Sequence, residues 1–267
     1  MGYETAPYLQ DTAWFTRACL VGDPNDSGYS TVQVQQWIKT RLLQMAYTQV
    51  DTIFSGSFVS QMATALNRGD TIFCYRGYYQ MSGWTNTNTG ALTNGWKMPF
   101  ACISTCGTGS FAAGTARSEQ FLRAGTATAP KAAIGAIGTA TTGTHTRYNN
   151  CYTFGVYGGM LYNGAHEMGV AHTWGKLNLF LNYQSAQPNW VTIFSHWNNL
   201  MGDPACDIWT AVPAPVVVSH PPTLSVGANS FAVTVTDVPA GANAAHPLPQ
   251  LILPPAPVTV PPPVLVT

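Results

Sequence analysis

The stretch Phe100-Ala101-Cys102-Ile103-Ser104-Thr105-Cys106-Gly107-Thr108-Gly109-Ser110-Phe111 decides how the chain is read. Its apolar opening suits a strand buried on both faces, and the small residues that follow free the backbone to turn at once. Strands of that kind belong to parallel sheets covered by helices. Outward from it, Ala18–Val21, Val50–Phe54, Thr71–Tyr75, Pro99–Ser104 and Ala132–Ile137 also read as strands. Val32–Met45, Val59–Leu66 and Ser118–Ala124 read as helices, and a long helical stretch then follows, clearest over His166–Leu181. This alternation predicts an α/β fold, a mainly parallel sheet with helices on both faces. Chemistry in such sheets sits in the loops beyond the carboxyl ends of the strands.

At the end of the opening strand, Cys106 admits two readings. It is a thiol exposed at the top of the sheet, with backbone N–H groups nearby for an oxyanion, or a buried cysteine before a glycine turn. Cys102, inside the strand, reads as buried. Gly107-Thr108-Gly109-Ser110-Phe111-Ala112 also fits the dinucleotide pattern G-x-G-x-x-A. That pattern needs an acidic residue about twenty positions on, and none occurs between Glu119 and Glu167.

The 267 residues include 46% hydrophobic and only 8% charged residues, with eleven Lys+Arg balancing eleven Asp+Glu. The balance excludes the basic footprint of a nucleic-acid binder and strong attraction to anionic membranes. Solubility therefore falls to Thr, Asn, Ser, Gly and Tyr, a balance more usual outside the cell. Leu248–Val266 carries seven prolines and forms no continuous membrane-spanning helix. No signal peptide opens the chain, which suggests a sequence that begins partway through a longer secreted or cell-surface protein. The six cysteines are dispersed and form no CxxC pair. Free thiols are the expectation for most of them, with no metal site and no cofactor.

Composition breaks near Thr210. Thirteen of the nineteen prolines lie beyond it, and Asp237 is the only charged residue there. Thr223–Asp237 alternates apolar and polar residues about a Gly-Ala-Asn-Ser turn, the pattern of a β-hairpin. Residues 241–267 read as an extended, Pro-rich, disordered tail.

A group delivered just before glycine on one strand, with a cysteine on the next, resembles the arrangement of caspase-like cysteine peptidases. Four segments make the resemblance to the gingipain type specific. They are Gly69-Asp70-Thr71-Ile72-Phe73-Cys74-Tyr75-Arg76-Gly77; the Thr105-to-Phe111 turn; Gly135-Ala136-Ile137-Gly138 with Thr144-His145-Thr146-Arg147-Tyr148-Asn149-Asn150; and Asn198-Asn199-Leu200-Met201-Gly202-Asp203-Pro204. Residues 1–210 thus resemble a gingipain-type catalytic domain without its amino-terminal part or propeptide, closed by a strand at Ala205–Trp209. Residues 211–240 resemble the start of the immunoglobulin-like domain that follows it.

The resemblance implies a cysteine endopeptidase acting on polypeptides. Cys106 would be the nucleophile, with a histidine base just before Gly77 and an oxyanion site from the N–H groups of Gly77 and Cys106. The histidine position, however, holds Arg76, whose guanidinium stays protonated and cannot serve as a base. Three readings follow: Arg76 favours a Cys106 thiolate by its charge, it pairs with a loop carboxylate, or the domain is a silent pseudopeptidase. His145, on the same loop edge, is the candidate substitute base, or else a loop histidine bonded to its threonine neighbours. His166 and His172, six apart on a helix, do not share a face. Asp23 and Asp26 follow the first strand and could orient a base, pair with Arg76 or take a basic substrate side chain; turn chemistry explains them equally. Trp84 is a candidate contact for a bound peptide or carbohydrate.

Overall fold

The structure is a computed structural model that describes residues 2–214, 216–223, 230 and 232–237. The chain divides into two compact units, Met1–Val212 and Pro213–Thr267. In the first, the strands are β1 (Arg17–Gly22), β2 (Gln49–Ile53), β3 (Ile72–Arg76), β4 (Phe100–Ile103), β5 (Gly135–Thr139) and β6 (Asn198–Met201). They form one sheet in the order β2-β1-β3-β4-β5-β6. The first five are parallel, and β6 pairs antiparallel with β5.

The side-chain alternation of each strand divides the core in two. Ala18, Leu20, Ile72, Cys74, Phe100, Cys102 and Ile137 face one layer. Cys19, Val21, Phe73, Tyr75, Ala101, Ile103 and Ala136 face the other. Both layers are covered, so β3, β4 and β5 are buried throughout and read as continuous apolar runs. The helices are α1 (Gly2–Thr5), α2 (Ser30–Gln44), α3 (Phe58–Arg68), α4 (Asn86–Gly90), α5 (Arg117–Arg123), α6 (Thr146–Tyr162), α7 (Met168–Tyr183) and α8 (Pro188–Trp197). Val34, Ile38 and Leu42, spaced by four, turn one stripe of α2 to the first layer, which α6, α7 and α8 complete. Met62, Ala65 and Leu66 of α3 and Phe121 of α5 fill the second. Phe121 lies flat between Phe73 and Trp84, with centroids 5.7 and 6.2 Å away.

The sheet's closing strand is β6 rather than Ala205–Trp209. The latter segment is held by the loop before α7: the Ile208 N–H donates to His166 O at 2.8 Å and the Met168 N–H to Cys206 O at 3.0 Å. The long helical stretch is two helices, separated near Gly164, whose φ of +65° suits a residue without a side chain. In the second unit, β7 (Val216–Ser219) pairs antiparallel with β8 (Thr234–Asp237). The first arm and most of the turn of the hairpin expected over Thr223–Asp237, and the tail 241–267, lie outside the described residues.

Between α6 and α7, the Tyr152 hydroxyl is in close hydrogen-bond contact with His172 Nδ1. Burial, with Lys176 nearby, pushes the His172 pKa down to about 4. Between that value and the ordinary histidine range, the unfolded chain takes up a proton that the fold refuses. This contribution to stability is complete above about pH 6.5 and is lost as the pH falls toward 4, by up to about 3 kcal/mol. Urea unfolding at pH 7 and pH 4.5 checks this. His172→Gln should lose less stability on acidification than the parent, and an equal loss would remove His172 from the acid sensitivity.

Candidate active site

Strand order reverses beside β1: the chain runs from β1 out to β2 and returns to β3 on β1's other side. Loops after β1, β3, β4 and β5 therefore converge at the carboxyl edge, where a crevice forms. Gly77 ends β3 at φ +157°, and a Cβ there would sit 2.6 Å from Asp23 Cβ and 2.9 Å from Asp23 N. Only glycine lets the first and third loops come so close. The Thr105 hydroxyl donates to Gly77 O at 2.7 Å, tying the β4 turn to the β3 turn. On the other side, the Gly107 N–H donates to Thr141 O at 2.7 Å and the Gly109 N–H to Thr139 O at 3.1 Å. Gly107 takes φ +72°. Between these anchors Cys106 stands at the top of the turn.

A cavity of about 500 Å³ opens there, lined by residues that include Asp26, Arg76, Gly77, Cys106, Thr144 and Asn149. Cys106 is half-buried. Its Sγ lies 2.7 Å from Thr144 Oγ1. Asn149 Nδ2 donates to that same Thr144 oxygen at 3.0 Å, which leaves the hydroxyl proton of Thr144 free to point at the sulfur. The Cys106 N–H donates to no backbone carbonyl among the described residues.

Arg76 is 1% exposed. Its Nε donates to Asn150 Oδ1 at 2.9 Å, Nη2 donates to Thr146 O at 3.4 Å, and Nη1 closely approaches Ser104 O. Burial pulls its pKa down to about 10, against the opposing pull of Cys74 and Cys102. It remains a cation at neutral pH, so it takes no proton from Cys106.

The other predicted site residues are dispersed. His145 is exposed at the start of α6, where its Nδ1 accepts the Arg147 N–H at 3.2 Å, and it does not line the cavity. Asp23 is 2% exposed and occupied: its Oδ1 accepts the Asn25 N–H at 2.9 Å and its Oδ2 closely accepts from the Ser82 hydroxyl. Asp26 alone of the two aspartates reaches the cavity. Neither forms an ion pair with Arg76 among the described residues. Trp84, a candidate contact for peptide or carbohydrate, is wholly buried, and its Nε1 donates to Thr89 Oγ1 at 2.8 Å. It supports the second core layer and offers no surface to a ligand. Thr144 and Asn149 went unremarked as site residues although both lie in the segment that carries the resemblance; no local pattern marks a threonine as a partner of sulfur. Among the described residues no group of acidic, histidine or cysteine side chains is arranged to hold a metal ion.

Residues 1–209 match the model of peptidase family C25. The chain belongs to that family. No curated protein matches it. Among solved structures, the C25 chain is similar to the Arg-specific cysteine proteinase gingipain R, with 20% identity and a TM-score of 0.73 over 84% of this chain and 55% of that one. It is also similar to a complex of the Porphyromonas gingivalis RgpB pro- and mature domains, with 21% identity and a TM-score of 0.71 over 85% and 56%. A third match is titled only as a protease: 16% identity, a TM-score of 0.73, and coverage of 88% and 57%. The chain thus spans a little over half the length of each, and at these identities the likeness establishes the caspase-like fold.

All six cysteines of the C25 chain are free thiols. Cys19, Cys74 and Cys102 are fully buried. Burial pushes the Cys151 thiol up to about 11 and that of Cys206 up to about 12. Iodoacetamide applied to the native protein near neutral pH should therefore modify Cys106 first, about tenfold or more faster than any other cysteine. Peptide mapping by mass spectrometry reads this, and Cys151 reacting as fast as Cys106 would contradict it.

Proposed function

We propose that this C25 domain is a cysteine peptidase that binds polypeptide in the carboxyl-edge cavity and attacks the scissile carbonyl with Cys106. The observation that carries the reading is the half-buried Cys106 sulfur on the wall of that cavity. The Thr144 hydroxyl, 2.7 Å from the sulfur, supports it by holding the nucleophile in place. In the reaction, a bond forms between Sγ and the carbonyl carbon, and the N–H groups of Gly77 and Cys106 receive the oxyanion. Solvent water takes the thiol proton and returns one to the amine nitrogen as the C–N bond breaks; a second water then cleaves the thioester, releasing the carboxylic acid and regenerating the thiol. The place of action is the cell exterior or surface, in keeping with the low charge of the chain. Among the described residues no helix is long and apolar enough to cross a membrane. The β7–β8 pair supports reading residues 211–240 as the start of an immunoglobulin-like domain.

The difficult half of this chemistry is departure of the amine, which must gain a proton, and no histidine lines the cavity. An activated ester needs no such help, because a nitrophenolate leaves with its electron pair unprotonated. Peptidyl nitrophenyl esters should therefore acylate Cys106 readily while peptide amides turn over slowly. The second reading, a peptide-binding pseudopeptidase, draws its support from Arg76 in the position of the base. Steady-state kinetics of the parent, Cys106→Ala and Arg76→His on both substrates separate the two. Loss of ester cleavage in Cys106→Ala is expected, as is a gain of about 10²–10⁴-fold in amide turnover in Arg76→His. Ester acylation by Arg76→His reports that the variant is folded. Ester cleavage that survives Cys106→Ala would sink the mechanism, and amide turnover confined to Arg76→His would establish the silent natural domain.

A further inference from the structure

We propose that Arg76 and Asn149 form a subsite for the terminal carboxylate of a bound peptide, so that the domain engages the carboxyl-terminal residue of its substrate. The inference rests on the reading of the cavity as a peptide cleft. Its first ground is a buried cation that no carboxylate among the described residues meets. Arg76 is 1% exposed, yet among the described residues it forms no ion pair. A desolvated cation is costly unless an anion meets it. Of the five N–H donors of a guanidinium, three are directed at Asn150 Oδ1, Ser104 O and Thr146 O. The remaining two N–H groups have no acceptor among the described residues, and Arg76 lines the cavity. All three acceptors it does have are neutral. The thiols of Cys74 and Cys102 lie nearby, but among the described residues no carboxylate offsets its charge, which a ligand carboxylate would balance.

The second ground is independent of the first. Asn149 lines the same cavity and is 2% exposed, and its Oδ1 has no hydrogen-bond partner. Its amide nitrogen is already committed to Thr144, so the orphan atom is an acceptor. A buried acceptor without a donor costs free energy, and the N–H of a peptide bond would satisfy it. An N–H and a carboxylate one residue apart are what the end of a peptide chain offers. Two further features agree. Asn149 lies in the first turn of α6, a 17-residue helix whose dipole favours an anion there, and the Arg76 side chain reaches Thr146 and Asn150 at the same end. Asp26, the one carboxylate on the cavity wall, is exposed to solvent, so water screens its repulsion. The lowered pKa of Arg76 reflects the same unpaired burial.

In this arrangement, the carboxylate meets Arg76 and the N–H of the last residue meets Asn149. The carbonyl before that N–H then lies toward Cys106. The position that would hold a histidine base instead recognises the end of the chain.

Fluorescence anisotropy with the Cys106→Ala protein tests this without turnover. Three amino-terminally labelled probes are compared: tetra-alanine with a free carboxylate, its carboxyl-terminal amide, and amidated tri-alanyl-glutamate. The free acid should bind about tenfold or more tightly than its amide, in line with a charge-assisted pair. Arg76→Gln in the same background should bring the ratio close to one. The parent comparison does not depend on how well that variant folds. Equal binding of acid and amide overturns the subsite while leaving the peptide cleft standing. Tighter binding of the glutamate amide than of the free acid overturns the assignment to the chain terminus and moves the anion to a side chain. No binding of any probe up to millimolar concentration removes the cleft reading, and the subsite with it.

Discussion

The carboxyl edge of the sheet is organised around one buried guanidinium. From the end of β3, Arg76 reaches the backbone of the β4 turn at Ser104 and the first turns of α6 at Thr146 and Asn150. These contacts hold the strand that precedes Cys106 against the helix that carries Asn149, and so fix the cavity floor. A histidine is too short to reach all three acceptors at once. Arg76 thus gives the cavity a buried, positively charged floor, with the Cys106 sulfur on the wall of the same cavity.

Two kinds of contact complete that arrangement. Threonine hydroxyls take over positioning: Thr105 locks the β3 turn through Gly77 O, and Thr144 meets the sulfur. Neutral acceptors take over the work of a counter-ion, which leaves the charge incompletely satisfied. The cavity thus joins a half-buried thiol to a wall that holds an arginine, an aspartate, threonines and an asparagine and no histidine. Family membership gives the fold and the likeness to cysteine peptidases, and these side chains set how far the chemistry can run.

The sheet was legible because its strands are buried on both faces, so their apolar runs needed no partner to be recognised. The place of Cys106 beyond its strand was legible for the same reason, since that strand ends abruptly in small residues. The β6 strand was not: Asn198-Asn199-Leu200-Met201 is polar at one end and pairs only at the sheet's edge, while the more strand-like Ala205–Trp209 found its partners in a loop. Trp84 is not the ligand contact it was a candidate for, because tertiary packing, which sequence alone does not show, seats it against Phe121. Of the two readings left open for Asp23, turn chemistry is the one its contact with the Asn25 N–H shows. Its burial against Gly77 is a contact between distant turns that no local pattern encodes. Thr144 and Asn149 act through contacts across 38 and 5 residues, and no local pattern encodes them.

The central claim is that the Cys106 sulfur faces a cleft that accepts an acyl group. Incubating the protein with a peptidyl acyloxymethyl ketone, then measuring intact mass and mapping the modified peptide, tests it most directly. The expected result is a single adduct on the peptide containing Cys106, blocked by a competing peptide. A protein that remains unmodified at Cys106, or is modified equally at its other thiols, would contradict it.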